Sequence, residues 1–362
     1  MSVDTVSLRQ NHTISRVIKG GWQLAGDHGA VDRRAAIADM EAFFDVGITT
    51  FDCADIYIGV EEMIGDFIAD IRRQRGNKIA ERVCVHTKLV PDFSRLADIR
   101  DDEIEAIVDR SLKRLKIDRL HLVQFYWWDL SIGNAVVSLQ VLKRLQDKGK
   151  IRSLAVTNWD AREVDPFIEA GFDIVSAQVQ YSVLDHRPAG SLTDWGRVND
   201  VQFLCYGTLA GGFLTDKWLG KADPGFNFKN RSLVKYRLII DEFGPWGQFQ
   251  DLLAALQAVG DKHRVSLSSV AIRYVLDQPQ VAAAIVGARY AHNLAQTLEV
   301  FEFSLDKDDR DALAAVIDRA KGPGGGVYAL ERDRTSRHGR IMKYNLNSTP
   351  DTPVIAEDVN HG

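Results

Sequence analysis

Three side chains of complementary chemistry stand near the ends of strand-like segments: Asp52 and Tyr57 in FDCADIY, and Lys88 at the end of VHTK. Brought together, they would make a proton donor for a carbonyl oxygen. A phenol titrates at about 10 and is a poor acid at neutral pH. An ammonium beside it stabilises the phenolate and lowers that pKa. A carboxylate paired with the lysine orients it and keeps it charged. The expected product is a tyrosine that gives a proton to a carbonyl oxygen and takes it back from an alcohol. Singly, each residue has a plainer role: a strand-end cap, a half-buried aromatic, a surface charge. The joint pattern carries the chemical reading. A further aromatic, Tyr126, lies in VQFYWWD just beyond the strand-like RLHL.

Such side chains need a scaffold that aims strand ends at one place. Short apolar or β-branched runs predict strands over 15–21, 47–52, 82–88, 119–125, 151–157, 174–181, 200–206 and 281–287. Helical periodicity predicts helices over 32–46, 60–75, 100–116, 134–149, 159–171, 249–263, 266–278 and 292–301. The strands are apolar on both faces, as in a buried parallel sheet. Strand–helix alternation without a linker predicts one closed (β/α)8 TIM barrel, an α/β fold with its active site at the C-terminal strand ends. An open doubly wound sheet is the alternative. It usually carries GxGxxG after its first strand, and KGGWQLAG does not match. In chain order the expected strand ends carry Asp52, Lys88, then Tyr126 with Trp127, then Thr157 with Asn158, then Gln178, then Tyr206.

Two segments break the rhythm. Residues 213–247 read as a long loop insertion after the seventh barrel strand, of the kind that serves an active site. After residue 321, KGPGGG leads into a polar, basic tail. The expected organisation is a barrel domain over 1–321 and a tail over 322–362 that either packs over the barrel or stays flexible. The loops around 22–30, 127–133 and 213–247, with the tail, are the expected pocket walls.

The bulk properties exclude several classes. The chain has 362 residues, 45% hydrophobic and 26% charged, which is ordinary globular composition. A net charge of -5 gives no basis for nucleic-acid or acidic-membrane partners. Cys53, Cys84 and Cys205 are far apart and show no metal-ligand spacing, so they read as free thiols of a reducing compartment and no metal is expected. The N-terminus has no basic segment followed by an apolar run, and no apolar stretch reaches membrane-span length. A cytoplasmic protein is expected.

GITTFDCADIYIGVEEMIG, VHTKL, SLKRLKIDRLHLVQFYWWD, GKIRSLAVTNW, AQVQYSVLDHR, LAGGFLTDK and IVGARYAHNLAQTLE together resemble the successive landmarks of the aldo-keto reductases. The resemblance runs over roughly 12–318 and is closer to the bacterial and potassium-channel β-subunit-like branch than to mammalian aldose reductases. Several motifs in order are far more specific than any one. The resemblance implies a (β/α)8 barrel, an extended nicotinamide cofactor and hydride transfer between it and a carbonyl or alcohol of a small molecule. It places Tyr57 as general acid/base, supported by Lys88 and Asp52. Thr157, Asn158 and Gln178 match the positions that hold the nicotinamide amide, and Tyr206 matches the aromatic stacked on its ring. Gly20, Gly21 and Trp22 match the first loop, near cofactor and substrate. Leu209, Gly211 and Lys217 are carried over as cofactor contacts. Gly287 and Arg289 match the loop around the adenosine phosphate, with Asn293 and Gln296 as adenine contacts. A guanidinium at 289 suits a 2′-phosphate, which favours NADP(H), with NAD(H) as the alternative. Trp127 matches the tryptophan that walls the substrate pocket.

Several positions depart from the family, among them YGTLAGG after the seventh strand and NLAQT after the eighth, and one bears on the chemistry. The family's fourth catalytic residue is usually histidine, and Tyr126 stands there. A phenol is longer, neutral at pH 7 and donates through its hydroxyl alone. That substitution opens two alternatives to carbonyl reduction. One is a regulatory module that binds NADPH and turns it over weakly. The other is a sugar or polyol dehydrogenase, or a C=C reductase, on the same fold.

Overall fold

The computed structural model describes residues 3–25, 29, 31–287 and 289–347. An antiparallel hairpin opens the chain, β1 (Thr5–Leu8) and β2 (His12–Ser15). Eight strands then close a parallel barrel: β3 (Val17–Gly20), β4 (Thr50–Asp52), β5 (Cys84–Leu89), β6 (Leu120–Phe125), β7 (Ile151–Thr157), β8 (Ile174–Gln180), β9 (Gln202–Tyr206) and β10 (Val281–Gly287). They hydrogen-bond in the order β10-β3-β4-β5-β6-β7-β8-β9. This is the expected (β/α)8 barrel. Parallel strands need crossovers, and helices supply them while covering the outer face.

The crossover helices are α1 (Arg33–Asp45), α2 (Val60–Arg75), a short α3 (Asn77–Ala80), α4 (Asp101–Leu115), α5 (Ala135–Asp147), α6 (Ala161–Glu169) and α7 (Ser191–Asn199). They are followed by α8 (Arg231–Phe243), α9 (Trp246–His263), α10 (Leu267–Leu276), α11 (Leu294–Leu298), α12 (Lys307–Ile317) and α13 (Ala329–Arg332). Local chemistry fixes their starts. The Asp32 side chain accepts from the amides of Arg34 and Ala35, Asn134 caps α5, and Ser266 caps α10. Among the described residues no helix is long and apolar enough to cross a membrane.

The structure corrects several boundaries. Residues 213–247 are not an unstructured insertion, because α8 fills much of them. Asn230 caps α8 by accepting from the Ser232 amide at 2.8 Å. Ile239, Ile240 and Phe243 of α8 bury their side chains beside Val183, Leu184 and Phe213. That apolar stripe has helical spacing, so the segment pays its ordering entropy by burial. The hairpin β1–β2, α7 and α12 were not expected. The helix expected over 292–301 is a single α-helical turn flanked by tighter turns.

The hairpin closes the N-terminal end of the barrel. Leu8 and Ile14 pack on the inward-facing Ile18, Leu122, Ala155 and Leu204. Beside them the imidazoles of His12 and His86 meet Nε2 to Nε2 at 2.9 Å, both fully buried. Burial, with Arg152 and His121 nearby, lowers His12 from 6.5 to about 4. The unfolded chain therefore binds this proton first, so stability is complete above pH 6.5 and declines as pH falls toward 4. His12→Gln is expected to flatten that part of the urea midpoint-versus-pH curve. An unchanged slope would show that other groups carry the acid sensitivity.

At the opposite rim the strands end on Gly20, Asp52, Leu89, Phe125, Thr157, Gln180, Tyr206 and Gly287. The described part of the tail, 322–347, crosses this mouth and does not hang free. Tyr344 packs on Trp128 and Phe93, with ring centroids 4.9 and 5.8 Å apart. Asn347 donates to the Val90 carbonyl at 2.6 Å and to Asp55 at 3.0 Å. Residues 26–28 and 30 of the first expected pocket loop, and 348–362 of the tail, lie outside the described residues.

Candidate active site

Asp52 ends β4 and Lys88 is the penultimate residue of β5, so adjacent strand ends bring them together. Lys88 Nζ lies 2.7 Å from Asp52 Oδ2 and donates to the Cys53 carbonyl at 2.8 Å. Both side chains are buried. Burial alone would lower the lysine, but the Asp52 carboxylate overrides it and holds Lys88 above its ordinary value. Asp52 is itself fixed from the barrel interior. Its Oδ1 accepts from Gln124 Nε2 at 2.9 Å and from Gln178 Nε2 at 2.6 Å. The result is an oriented lysine that stays charged.

Tyr57 follows on the turn that leads into α2. Its ring lies 5.2 Å from Lys88 Nζ and 4.9 Å from the Trp22 ring. Lysine was expected to lower this phenol's pKa. The net shift is upward: burial outweighs the attraction of Lys88 and pushes Tyr57 to about 12. At neutral pH Tyr57 therefore carries its proton, which suits a donor.

Tyr126 stands on the same cavity, buried, its ring 4.9 Å from Trp128 and 6.0 Å from Tyr328. Its hydroxyl is buried and makes no regular hydrogen bond among the described residues. Burial holds this phenol above its ordinary value as well. Asp52, Tyr57, Lys88 and Tyr126 all line one cavity of about 500 Å³.

The cavity extends from these residues across the barrel to the loop after β10. Thr157, Asn158, Gln178, Tyr206, Leu209, Gly211, Gly287, Arg289, Asn293 and Gln296 all line it, as does Trp22. Asn158 sits at φ 62°, a left-handed conformation that non-glycine residues seldom adopt. Its side-chain oxygen accepts from the Tyr206 hydroxyl at 2.7 Å. Gly211, at φ 64°, packs so close to Tyr236 that a Cβ would lie 2.6 Å from its ring. A Cβ on Gly287 would lie 2.1 Å from Gln23. Bare backbone therefore borders the cavity at both loops, as close approach by a large ligand requires. Gln23 Oε1 and Thr208 Oγ1 also line it, buried without hydrogen-bond partners among the described residues. A long, amide- and hydroxyl-rich cleft with a guanidinium at its far end fits an extended dinucleotide.

Three expected contacts lie off the cavity. Trp127 is fully buried behind it, packed on Phe125 at 5.9 Å, its indole donating to the Ile132 carbonyl at 2.9 Å. Side chains alternate along a strand. Gln124, Tyr126 and Trp128 face inward, while Phe125 and Trp127 face the helices. Trp128, with Trp22, therefore lines the cavity where Trp127 was expected. Gly21 is not a lining residue. Its amide donates to the Asp52 carbonyl at 2.8 Å, and a Cβ there would lie 2.7 Å from Val60, so it serves close packing of the first loop. Lys217 is exposed and lies over the Trp218 ring, turned away from the cavity.

Other lining residues went unread in the sequence. From α8, Ser232 accepts from the Trp22 indole at 2.7 Å, and Lys235 and Tyr236 reach inward. From the tail come Tyr328, Met342 and Leu346. The tail is anchored by buried charge. Arg187 binds Asp185 at 2.7 Å and Glu331 at 2.9 Å, and Lys235 lies 3.7 Å from Glu331. Burial would raise the Glu331 carboxyl, but Lys235 and Arg187 hold it down at about 2.

Comparison with known proteins points one way. The model of the Aldo/keto reductase family matches residues 16–318. The aldo-keto reductase YhdN of Bacillus subtilis (strain 168) is 27% identical over 314 residues, 84% of this chain and 90% of that protein. The protein tas of Escherichia coli (strain K12) is 26% identical over 321 residues, covering 77% and 89%. Among solved structures, a glycerol dehydrogenase from Gluconobacter oxydans has a TM-score of 0.74 at 24% identity, covering 90% of this chain and 98% of that one. An aldo-keto reductase from Klebsiella pneumoniae in complex with NADPH has a TM-score of 0.66 at 20% identity, covering 90% and 100%. The structural likenesses speak to the barrel; the family match takes in every barrel strand from β3 to β10 and all but the tail of the cavity, and this chain belongs to the aldo/keto reductase family.

Proposed function

We propose that the protein is an NADP(H)-dependent oxidoreductase that interconverts a carbonyl and an alcohol on a small molecule. The observation that carries this is the buried Asp52–Lys88 pair beside Tyr57, opening with Tyr126 on one cleft. When bound, the cofactor supplies or accepts the hydride at the reacting carbon. The chain's own residues manage the proton and the geometry. Tyr57 donates its phenolic proton to the carbonyl oxygen, and Lys88 stabilises the phenolate left behind. Asp52 holds Lys88 in position. The Tyr126 hydroxyl, buried and without a regular partner, donates a hydrogen bond to the same oxygen in place of an imidazole. Asn158 and Gln178 suit the nicotinamide amide, Tyr206 its ring, and Arg289 a 2′-phosphate, which supports NADP(H) over NAD(H). Trp22, Trp128, Tyr328 and Met342 give the substrate end apolar walls, which favours carbonyl compounds with an apolar or aromatic body.

Steady-state oxidation of NADPH and NADH over an aldehyde and ketone panel tests this reading. Turnover is expected with several aldehydes, faster with NADPH. Arg289→Leu should weaken NADPH by roughly tenfold to a hundredfold and leave NADH nearly unchanged. Equal losses for both cofactors would remove the 2′-phosphate assignment. No turnover of any carbonyl would favour the regulatory module.

A further inference from the structure

Two corners of the cleft, Tyr126 and Asn158, directly follow the ends of different strands, β6 and β7, and do different work. One cation stands behind both. Arg332, in the tail helix α13, donates through Nη2 to the Asn158 backbone carbonyl and pairs through Nη1 with Glu163. Its positive charge also acts on the Tyr126 phenol, whose buried hydroxyl has no regular hydrogen-bond partner among the described residues. Its Nε is buried with no partner among the described residues. Arg332 lies outside residues 16–318, so this cation is not part of the shared barrel.

Resting on the function proposed above, we infer that Arg332 is a positioning residue of the site, tying the substrate corner at Tyr126 to the cofactor corner at Asn158. Asn158 needs the tether. Asparagine adopts a left-handed conformation more readily than other non-glycine residues, but a single one at a site still has to be kept by its surroundings. The Asn158 amide is held by the Gln178 carbonyl at 2.9 Å, and Arg332 holds its carbonyl from the other side. The side-chain oxygen that meets Tyr206 is placed by that backbone. Tyr126 needs the charge. Its hydroxyl is a donor in search of an acceptor, and a cation behind the phenol polarises O–H toward a substrate oxygen. The guanidinium is an always-charged fork that can serve several oxygens at once. Arg332 is placed in turn by its neighbour Glu331, which is locked to Arg187. The missing imidazole is thus replaced by a pair of residues, a phenol from β6's end and a guanidinium from the tail.

Arg332→Gln and Arg332→Lys test this, alone and in a Tyr126→Phe background. In the wild-type background Arg332→Gln should lower kcat for carbonyl reduction roughly tenfold to a hundredfold, the cost of a small misplacement at a reacting centre. In the Tyr126→Phe background the same change should cost at least about threefold less, because residues acting as a unit are not additive, and what remains is the share of the Asn158 corner. Arg332→Lys keeps the charge without the fork, and is expected to recover part of kcat; it also serves if the glutamine variant does not fold. Wild-type kcat in both variants, or equal fold losses in both backgrounds, would overturn the inference. If the wild type reduces no carbonyl, the proposed function fails first. Arg332 is then judged by NADPH fluorescence titration: a dissociation constant raised several-fold in Arg332→Gln supports the Asn158 tether, and an unchanged one overturns it.

Discussion

Tyr57→Phe is expected to lower kcat by about 10²–10⁴-fold while leaving NADPH affinity and thermal stability close to wild type. The variant keeps the aromatic ring that packs on Trp22 and Lys88 and removes only the hydroxyl. Tyr126 stands at a different corner of the cavity, with the Arg332 guanidinium rather than the Asp52–Lys88 pair beside its phenol. The elevated Tyr57 pKa adds a direction. With the phenol at about 12, the proton donor is present throughout the neutral range, so reduction should vary little with pH on this account. Alcohol oxidation needs the phenolate, whose population grows tenfold per pH unit below that pKa. Oxidation should therefore climb with pH while reduction stays flat. Pre-steady-state rates in both directions across pH 6–9 check the pair of slopes. A Tyr57→Phe variant that keeps wild-type rates would end the assignment of Tyr57.

Glu331→Ala is expected to destabilise the protein by about 3 kcal/mol and to free the tail. The change leaves Arg187 and Lys235 buried with one carboxylate, Asp185, between them. Breaking a buried pair by removing one partner costs about 3–5 kcal/mol, and the remaining Asp185 places this case at the low end. The pH dependence has a definite sign. Because Glu331 is held at about 2, below the ordinary 4.5, its contribution is complete above 4.5 and lost as pH falls through about 2. Urea unfolding at neutral pH measures the loss, and limited proteolysis reads whether cleavage moves into 322–347. Wild-type stability with wild-type proteolysis would show that the tail is held by its aromatic contacts alone.

Much of the barrel was legible because its signals are local and periodic. The eight strands are short apolar runs, and α2 falls on its expected 60–75 because glycines bound it. Four catalytic candidates were legible because a barrel brings strand ends together whatever their sequence separation. Trp127 was misplaced although the sequence held the remedy: counting by two from Gln124 puts Trp128, not Trp127, on the inner face. The segment 213–247 reads as a loop by its length and its break with the strand–helix rhythm, yet from Leu233 to Phe243 it carries a helical stripe. The tail was beyond reach for a different reason. Its contacts come from single side chains on irregular backbone, meeting partners up to 292 residues away, as Asn347 meets Asp55. No period or cap announces such pairings. The raised Tyr57 pKa was equally hidden, since spacing predicts the attracting lysine but not the burial that outweighs it.

The proposed function requires hydride to pass between the nicotinamide and a carbonyl carbon while Tyr57 handles the proton. Isotope tracing tests that most directly. NADPH carrying deuterium at the transferable C4 position is mixed with the best aldehyde of the panel, and the alcohol is analysed by mass spectrometry and NMR. One deuterium is expected on the carbinol carbon of the wild-type product, formed at a rate that Tyr57→Phe reduces by about two orders of magnitude or more. Product without deuterium, or labelled product formed as fast by Tyr57→Phe, would contradict the proposed function.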